Sequence, residues 1–170
     1  MVNSNNLEGF NTDKFLNAIH NAESNNSKDL TIKNKESSAR GPFQILKGTR
    51  NDIYNKYYKN SMTKNEFDYN YLNDFQFAKT VASKYLQMNQ PLVQELQQKY
   101  SIPPEYSQSI LYFLGSGDGP KYIEDYVSTG SHKIAQEKLN ERIKARVGYL
   151  PNNQTVENYV RLKINNYYSQ

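Results

Sequence analysis

The chain contains no cysteine and no tryptophan. Without cysteine, neither a disulfide framework nor a thiolate-held metal can form, and the redox compartment stays open. No stretch approaches the roughly 18 consecutive apolar residues of a membrane span. Met1 to Phe10 is polar and Asn-rich, without the cationic start and apolar run of a secretory signal. These ten residues are expected to be a flexible N-terminus, and delivery to any site outside the cytoplasm would need another agent. Apolar residues are also scarce, at 36%, and mean hydropathy is −0.90. Such polarity could mean disorder, but 15 Tyr and 7 Phe supply the aromatic content that disordered chains lack. The chain therefore folds around rings.

At 170 residues there is room for one domain with a real core, and neither a repeat nor a clear linker divides it. Lys and Arg number 21 against 17 Asp and Glu, a formal charge of +4. That excess suits an anionic polymer, such as a cell wall, a nucleic acid or a lipid surface, and equally an ordinary basic domain.

Helical signals dominate. Asn11, Thr12 and Asp13 start a helix carrying Phe15, Ile19 and Ala22, which should end near Asn25 and Asn26. Between Asp29 and Arg40, Leu30 and Ile32 alternate with polar residues, which predicts a short strand pair. Gly41-Pro42 then reads as the opening of a second helix. A third helix is expected over Asp74 to Met88, interrupted by Asn89-Gln90-Pro91, with another from Leu92 to Tyr100. Pro103 and Pro104 start the next, through Leu114. Gly115 to Gly119 reads as a glycine loop, followed by helices over Lys121 to Val127 and from Ser131 to Val147. Pro151 breaks the chain, and Thr155 caps a last helix. The fold class expected is mainly α, in an α+β arrangement with a small β-hairpin region.

One carboxylate stands out. Glu23 lies four residues after Ile19 on the apolar stripe of the first helix. A carboxylate that continues an apolar stripe is unusual, because ionised burial is costly. An acid that keeps its proton is what protonation of a glycosidic oxygen requires.

Other patterns have plainer explanations. Most Tyr residues are expected in the core, with a few in a cleft as flat faces for sugars. The Gly115 to Gly119 run follows a helix and lacks a Lys-Ser/Thr ending, so it is not a phosphate loop. His20 and His132 are far apart and no compact His/Asp cluster accompanies them, so no metal is expected. Lys133 to Arg146 alternates cations with Glu137 and Glu141, as a solvated helix face does.

Three segments, taken with Glu23, form a recognisable series. Glu23-Ser24, then Ser37-Ser38-Ala39-Arg40-Gly41-Pro42-Phe43-Gln44-Ile45, then Tyr112-Phe113-Leu114-Gly115-Ser116-Gly117 resemble the landmark motifs of lytic transglycosylases. The likeness is to the soluble type, related to goose-type lysozyme and found in phage and bacterial wall-degrading proteins. A last segment from Asn153 through Thr155 to Val160 looks like the family's final helix, and the resemblance spans about Phe15 to Tyr167.

The resemblance implies a lysozyme-like fold with a cleft, one domain over residues 1–170, and a peptidoglycan-cleaving activity. Glu23 matches the catalytic acid and base, and Ser24 a residue that positions its carboxyl. Gly41 and Phe43 match residues shaping the cleft floor, Gln44 one lining the site, and Ser38 falls in the same substrate-binding segment. Tyr112 and Tyr159 match aromatic residues around the carboxyl and the sugar. Two departures stand out. Leu111 to Gly115 lacks an Asn common in the third motif, and Thr155-Val156 replaces a frequent Glu-Thr.

The partner implied is the glycan strand of peptidoglycan, with no cofactor, no metal, no nucleic acid and no membrane span. The chain would act as a monomer or as a component of a phage particle, delivered to the wall by a virion or during host lysis. A hydrolytic lysozyme on the same fold is the alternative. It would need a second carboxylate, and Asp29 and Glu36 are the only acids between the first two motifs. A virion protein that kept the fold and lost activity is the third reading.

Overall fold

The computed structural model describes residues 10–35, 37–148 and 154–170. The chain is mainly helical, as expected, and no strand occurs among the described residues. Among the described residues seven α-helices follow one another: α1 Thr12–Ser24, α2 Lys47–Ile53, α3 Lys64–Asn73, α4 Phe75–Tyr100, α5 Pro104–Thr129, α6 His132–Val147 and α7 Val156–Tyr168. A π-helical turn, Tyr54–Tyr58, continues α2. Glu36, Asn153, Pro151 and the first nine residues, to which expectations were attached, lie outside the described residues. No helix among the described residues is long and apolar enough to cross a membrane.

The chain divides into two compact units. One comprises Thr12–Met88 with Asn166–Gln170, and the other Asn89–Asn165 with Phe10 and Asn11. The first is built on rings. Phe67 is fully buried, with the rings of Tyr54, Tyr58 and Phe77 all within 5.6 Å, centroid to centroid. The ends of the unit's sequence meet on α1. Phe15 packs edge-on to Tyr167 at 5.9 Å, Asn21 accepts from Asn166 at 2.8 Å, and the Lys14 carbonyl accepts from Gln170 at 2.8 Å. The second unit packs aliphatic stripes of α5, α6 and α7, with Ile110, Leu111, Ile123, Leu139, Val156 and Val160 all buried.

Four expectations need correction. Gly41 does not open a helix. Gly41 to Gln44 form a turn between residues paired in isolated antiparallel bridges, Lys33 with Arg40 and Arg40 with Ile45, and α2 begins only at Lys47. Gly41 at φ 72° and Gln44 at φ 47° are both left-handed, which no helix accommodates. The strand pair expected between Asp29 and Arg40 is represented by those two bridges alone.

Asn89-Gln90-Pro91 does not interrupt α4. The buried positions Ala82, Leu86, Asn89, Val93 and Leu96 run on at helical spacing across the proline. Pro91 lies on the exposed face, where water can satisfy the Gln87 carbonyl that loses its amide partner. The glycine loop is a kink inside α5, where Gly115 alone leaves helical geometry at φ 76° and ψ 179°.

Helix α3 had no counterpart in the expected elements. Its N-terminus is a complete capping box: the Thr63 hydroxyl accepts from the Glu66 amide at 3.2 Å, and the Glu66 carboxylate accepts from the Thr63 amide at 2.7 Å. The Thr63 amide and, at 2.9 Å, the Thr63 hydroxyl both donate to the Glu66 carboxylate and hold it below its ordinary range. Thr63→Ala is expected to destabilise the protein by about 1 kcal/mol, the usual cost of losing an N-cap. Urea denaturation of the variant checks it, and no shift in midpoint would contradict it.

Candidate active site

Glu23 stands on the last turn of α1, half-buried. The turn that follows is closely determined. Asn25 and Asn26 both take left-handed backbones, at φ 52° and 60°, which asparagine tolerates better than most residues. The Ser24 hydroxyl donates to the His20 carbonyl at 2.9 Å, with the Ser27 carbonyl at 3.3 Å sharing it. His20 Nε2 lies 2.7 Å from the Ser27 carbonyl, so that nitrogen carries a proton and donates. Ser24 and His20 thus tie the helix end to the turn from both sides, and Glu23 lies between them in sequence.

His20 also reaches the second motif segment. Its ring lies 5.3 Å from Phe43 and 5.1 Å from Phe75, and those two rings are 5.8 Å apart. Phe43 is buried, so the three rings form a wedge that locks α1 against the Gly41 to Gln44 turn. Two of the sequence motifs therefore meet through a residue that belongs to neither. His20 could have been found from its spacing: it sits one position after Ile19 and four before Ser24, next to the buried stripe.

The turn itself is held from below. Gly41 donates to the Ile32 carbonyl at 2.8 Å, and a Cβ at Gly41 would lie 3.6 Å from the Tyr71 hydroxyl. That is ordinary contact, and it is the left-handed φ of 72° that makes glycine the residue that fits. The Gln44 side chain folds back to donate to the Gly41 carbonyl at 2.7 Å, closing the turn. The Ser38 hydroxyl accepts from the Lys47 amide at 3.1 Å, at the start of α2. Beneath lie Arg50 and Tyr71, both buried, with the guanidinium 5.0 Å from the phenol ring. Arg50 Nη1 donates to the carbonyls of Ile45 and Ser38, and the Tyr71 hydroxyl donates to the Arg40 carbonyl at 2.8 Å. Nothing in the local sequence announces this clamp, because its members are far apart along the chain.

Burial lowers the affinity of Arg50 for its proton and pushes the Tyr71 phenol up to about 12. The Tyr71 shift has a direct consequence. Below pH 10.0, the ordinary tyrosine value, the phenol is protonated whether the chain is folded or not. Between that value and about 12, only the unfolded chain loses the proton, so stability falls as pH rises. The contribution is about 1.4 kcal/mol per pH unit over that window. Tyr71→Phe should remove it, and denaturation midpoints measured for both proteins from neutral to alkaline pH check the difference. Parallel alkaline slopes for the two would contradict it.

Tyr112 and Tyr159 belong to the other unit and are described there. Tyr112, on α5 just before the Gly115 kink, is 8% exposed. Tyr159, on α7, stacks on Phe113 at 4.1 Å, and the Lys163 ammonium also packs on the Tyr159 ring, 3.0 Å from its centre. The third motif and the final helix therefore meet through Phe113.

Of the two acids available as a second carboxylate, Asp29 is exposed and engaged. Its Oδ1 accepts from the Thr31 amide at 2.8 Å and the Thr31 hydroxyl at 2.7 Å, which hold the carboxyl below its ordinary range. Glu36 lies outside the described residues. No group of His, Asp or Glu that could hold a metal ion occurs among the described residues.

Comparison with protein-family models, with characterised proteins and with solved structures finds no match to this chain. What the molecule does has to be argued from its own residues.

Proposed function

We propose that the protein is a peptidoglycan lytic transglycosylase with Glu23 as its catalytic acid and base. The reading rests on the motif series and on one arrangement that carries it. Glu23 sits on a helix end fixed by Ser24 and His20, and His20 packs on Phe43 of the second motif. A helix end held this firmly fixes the backbone that carries Glu23, and placement is the main requirement for proton transfer to a bound sugar. In this reading the two bridges around Arg40 are the counterpart of the small β region of lysozyme-like folds. In the unit that carries Glu23, Gln44 and Ser38 take part in holding glycan.

The chemistry needs only one carboxyl. Glu23 gives its proton to the oxygen that leaves C1 of N-acetylmuramic acid, and an oxocarbenium-like centre develops there. The carboxylate left behind takes the proton from the 6-hydroxyl of the same sugar. That oxygen closes onto C1, giving a 1,6-anhydro end. Because the nucleophile is tethered to the substrate, no second carboxylate is required to activate water.

The hydrolytic alternative needs such a group. Asp29 is a poor base for it: two hydrogen bonds from Thr31 stabilise its ionised form and lower its basicity. The proposal includes delivery to the wall by a virion or during host lysis, and action as a monomer or within a phage particle. The test is digestion of purified cell wall followed by muropeptide mass analysis. Ends lighter by one water than reducing ends support the proposal. Reducing ends would move the assignment to a muramidase, and no release would point to a structural protein.

A further inference from the structure

A second feature of the Thr12–Met88 unit is not used by this chemistry. Lys33, Arg40, Lys47, Arg50 and Asp68 line an open groove of about 510 Å³, and Glu23 is not part of its lining. Four of the lining residues are cations. None of the four forms an ion pair with a carboxylate among the described residues. The single acid of the groove, Asp68, is bonded to Lys64 at 2.5 Å, on its own helix. On α6, by contrast, three cations are matched: Lys138 and Arg142 hold Asp125, and Arg146 holds Asp118. Lys33, Arg40 and Lys47, with no ion-pair partner among the described residues, thus share one groove with the buried Arg50, where low-dielectric walls focus their field.

We infer that this groove binds a phosphodiester-linked polyol chain, the polymer of glycerol or ribitol phosphate carried by many bacterial walls. Charge density decides the ligand's class. A peptide stem mixes carboxylates with ammonium groups and would be expected to meet acids as well as bases, whereas a polyphosphate ester carries one negative charge per unit and no positive one. The absence of aromatic lining decides between phosphate polymers. No ring lines the groove, and single-stranded nucleic acids are held largely by bases stacked on rings. Thr31, whose hydroxyl donates to Asp29, and Asn73, whose amide nitrogen donates to the Tyr69 carbonyl, also line the groove and offer their side-chain oxygens as acceptors to polyol hydroxyls. Arg50 is committed to the carbonyls of Ser38 and Ile45, so the more exposed Lys33 and Lys47, with Arg40, are left to meet phosphates.

The choice of a wall polymer rests on the cell-wall reading given above, and the experiment separates the two. Binding of soluble poly(glycerol phosphate) is measured by calorimetry across a range of salt, beside a single-stranded oligonucleotide of equal charge. The comparison protein is the double variant Lys33→Gln/Lys47→Gln, whose backbone bonds are untouched and whose melting curve should match the parent. Affinity for the polymer should fall with salt, and the double variant should flatten the slope of log affinity against log salt by about 1.4, at roughly 0.7 for each phosphate no longer neutralised. Cleavage of wall stripped of the polymer should be the same for both proteins. No binding, binding unchanged in the variant, or an equal preference for the oligonucleotide would each overturn the inference. Failure to cleave stripped wall, with polymer binding intact, would overturn the enzymatic reading alone.

Discussion

Glu23→Gln is expected to abolish wall lysis and to leave the fold unchanged. The amide has the shape of the carboxyl, and Glu23 is only half-buried at a helix end whose geometry is fixed by Ser24, His20 and the two left-handed asparagines. The helix end should therefore survive the change, while the proton that the glycosidic oxygen needs is gone. Loss of a general acid costs on the order of 10² to 10⁴ in rate. Clearing of a wall suspension should fall by at least about a hundredfold, the lower end of that range, with circular dichroism and melting temperature unaltered. A variant that still clears wall at more than about a hundredth of the parent rate would remove Glu23 from the mechanism.

Tyr71→Ala is expected to be the most damaging change in the Thr12–Met88 unit. The ring is fully buried, faces the Arg50 guanidinium at 5.0 Å and donates to the Arg40 carbonyl. Truncation leaves a cavity, a buried carbonyl without its donor and a buried cation without its ring. Removing a large buried aromatic costs about 3–5 kcal/mol. That is a large part of the roughly 5–15 kcal/mol by which most proteins are stable. Urea unfolding monitored by tyrosine fluorescence measures it. Because the Gly41 to Gln44 turn rests on this clamp, activity should fall even at temperatures where the variant stays folded. A loss below about 1 kcal/mol, the usual value of one hydrogen bond, would show that the cavity and the cation contribute nothing.

The sequence disclosed the helices whose limits are set locally. Asn25 and Asn26 end α1, Pro104 opens α5, the Ser131 hydroxyl caps α6 by accepting from Ile134 at 3.2 Å, and Thr155 accepts from Asn158 at the start of α7. Each signal acts within a few residues, so it reads directly. The capping box of Thr63 and Glu66 is equally local, but α3 is apolar on too few positions, chiefly Phe67 and Tyr71, for a stripe to follow the cap. What escapes for a physical reason is whatever distant residues impose. Gly41-Pro42 before an apolar run has the composition of a helix start. Tyr71 and Arg50 make it a turn by holding the Arg40, Ser38 and Ile45 carbonyls.

The candidate site divides in the same way. Glu23 and Ser24 are marked by their place on the first helix. His20 draws notice in the sequence only as a metal ligand without partners, yet its ring joins α1 to Phe43 and Phe75, and its Nε2 proton holds the turn after Glu23. The resemblance assigns Gln44 to the lining of the site, and its side chain is bonded to its own turn through the Gly41 carbonyl.

The central claim is that one carboxyl breaks the glycan without recruiting water as a nucleophile. Digestion of purified wall in water enriched in heavy oxygen tests it most directly. The account predicts muropeptides that carry no label at the new end, each lighter by one water than its hydrolysed counterpart, because the 6-hydroxyl of N-acetylmuramic acid closes onto its own C1. Products that are predominantly labelled and reducing would contradict it, leaving Glu23 as the acid of a hydrolase and a second, water-activating group still to be found.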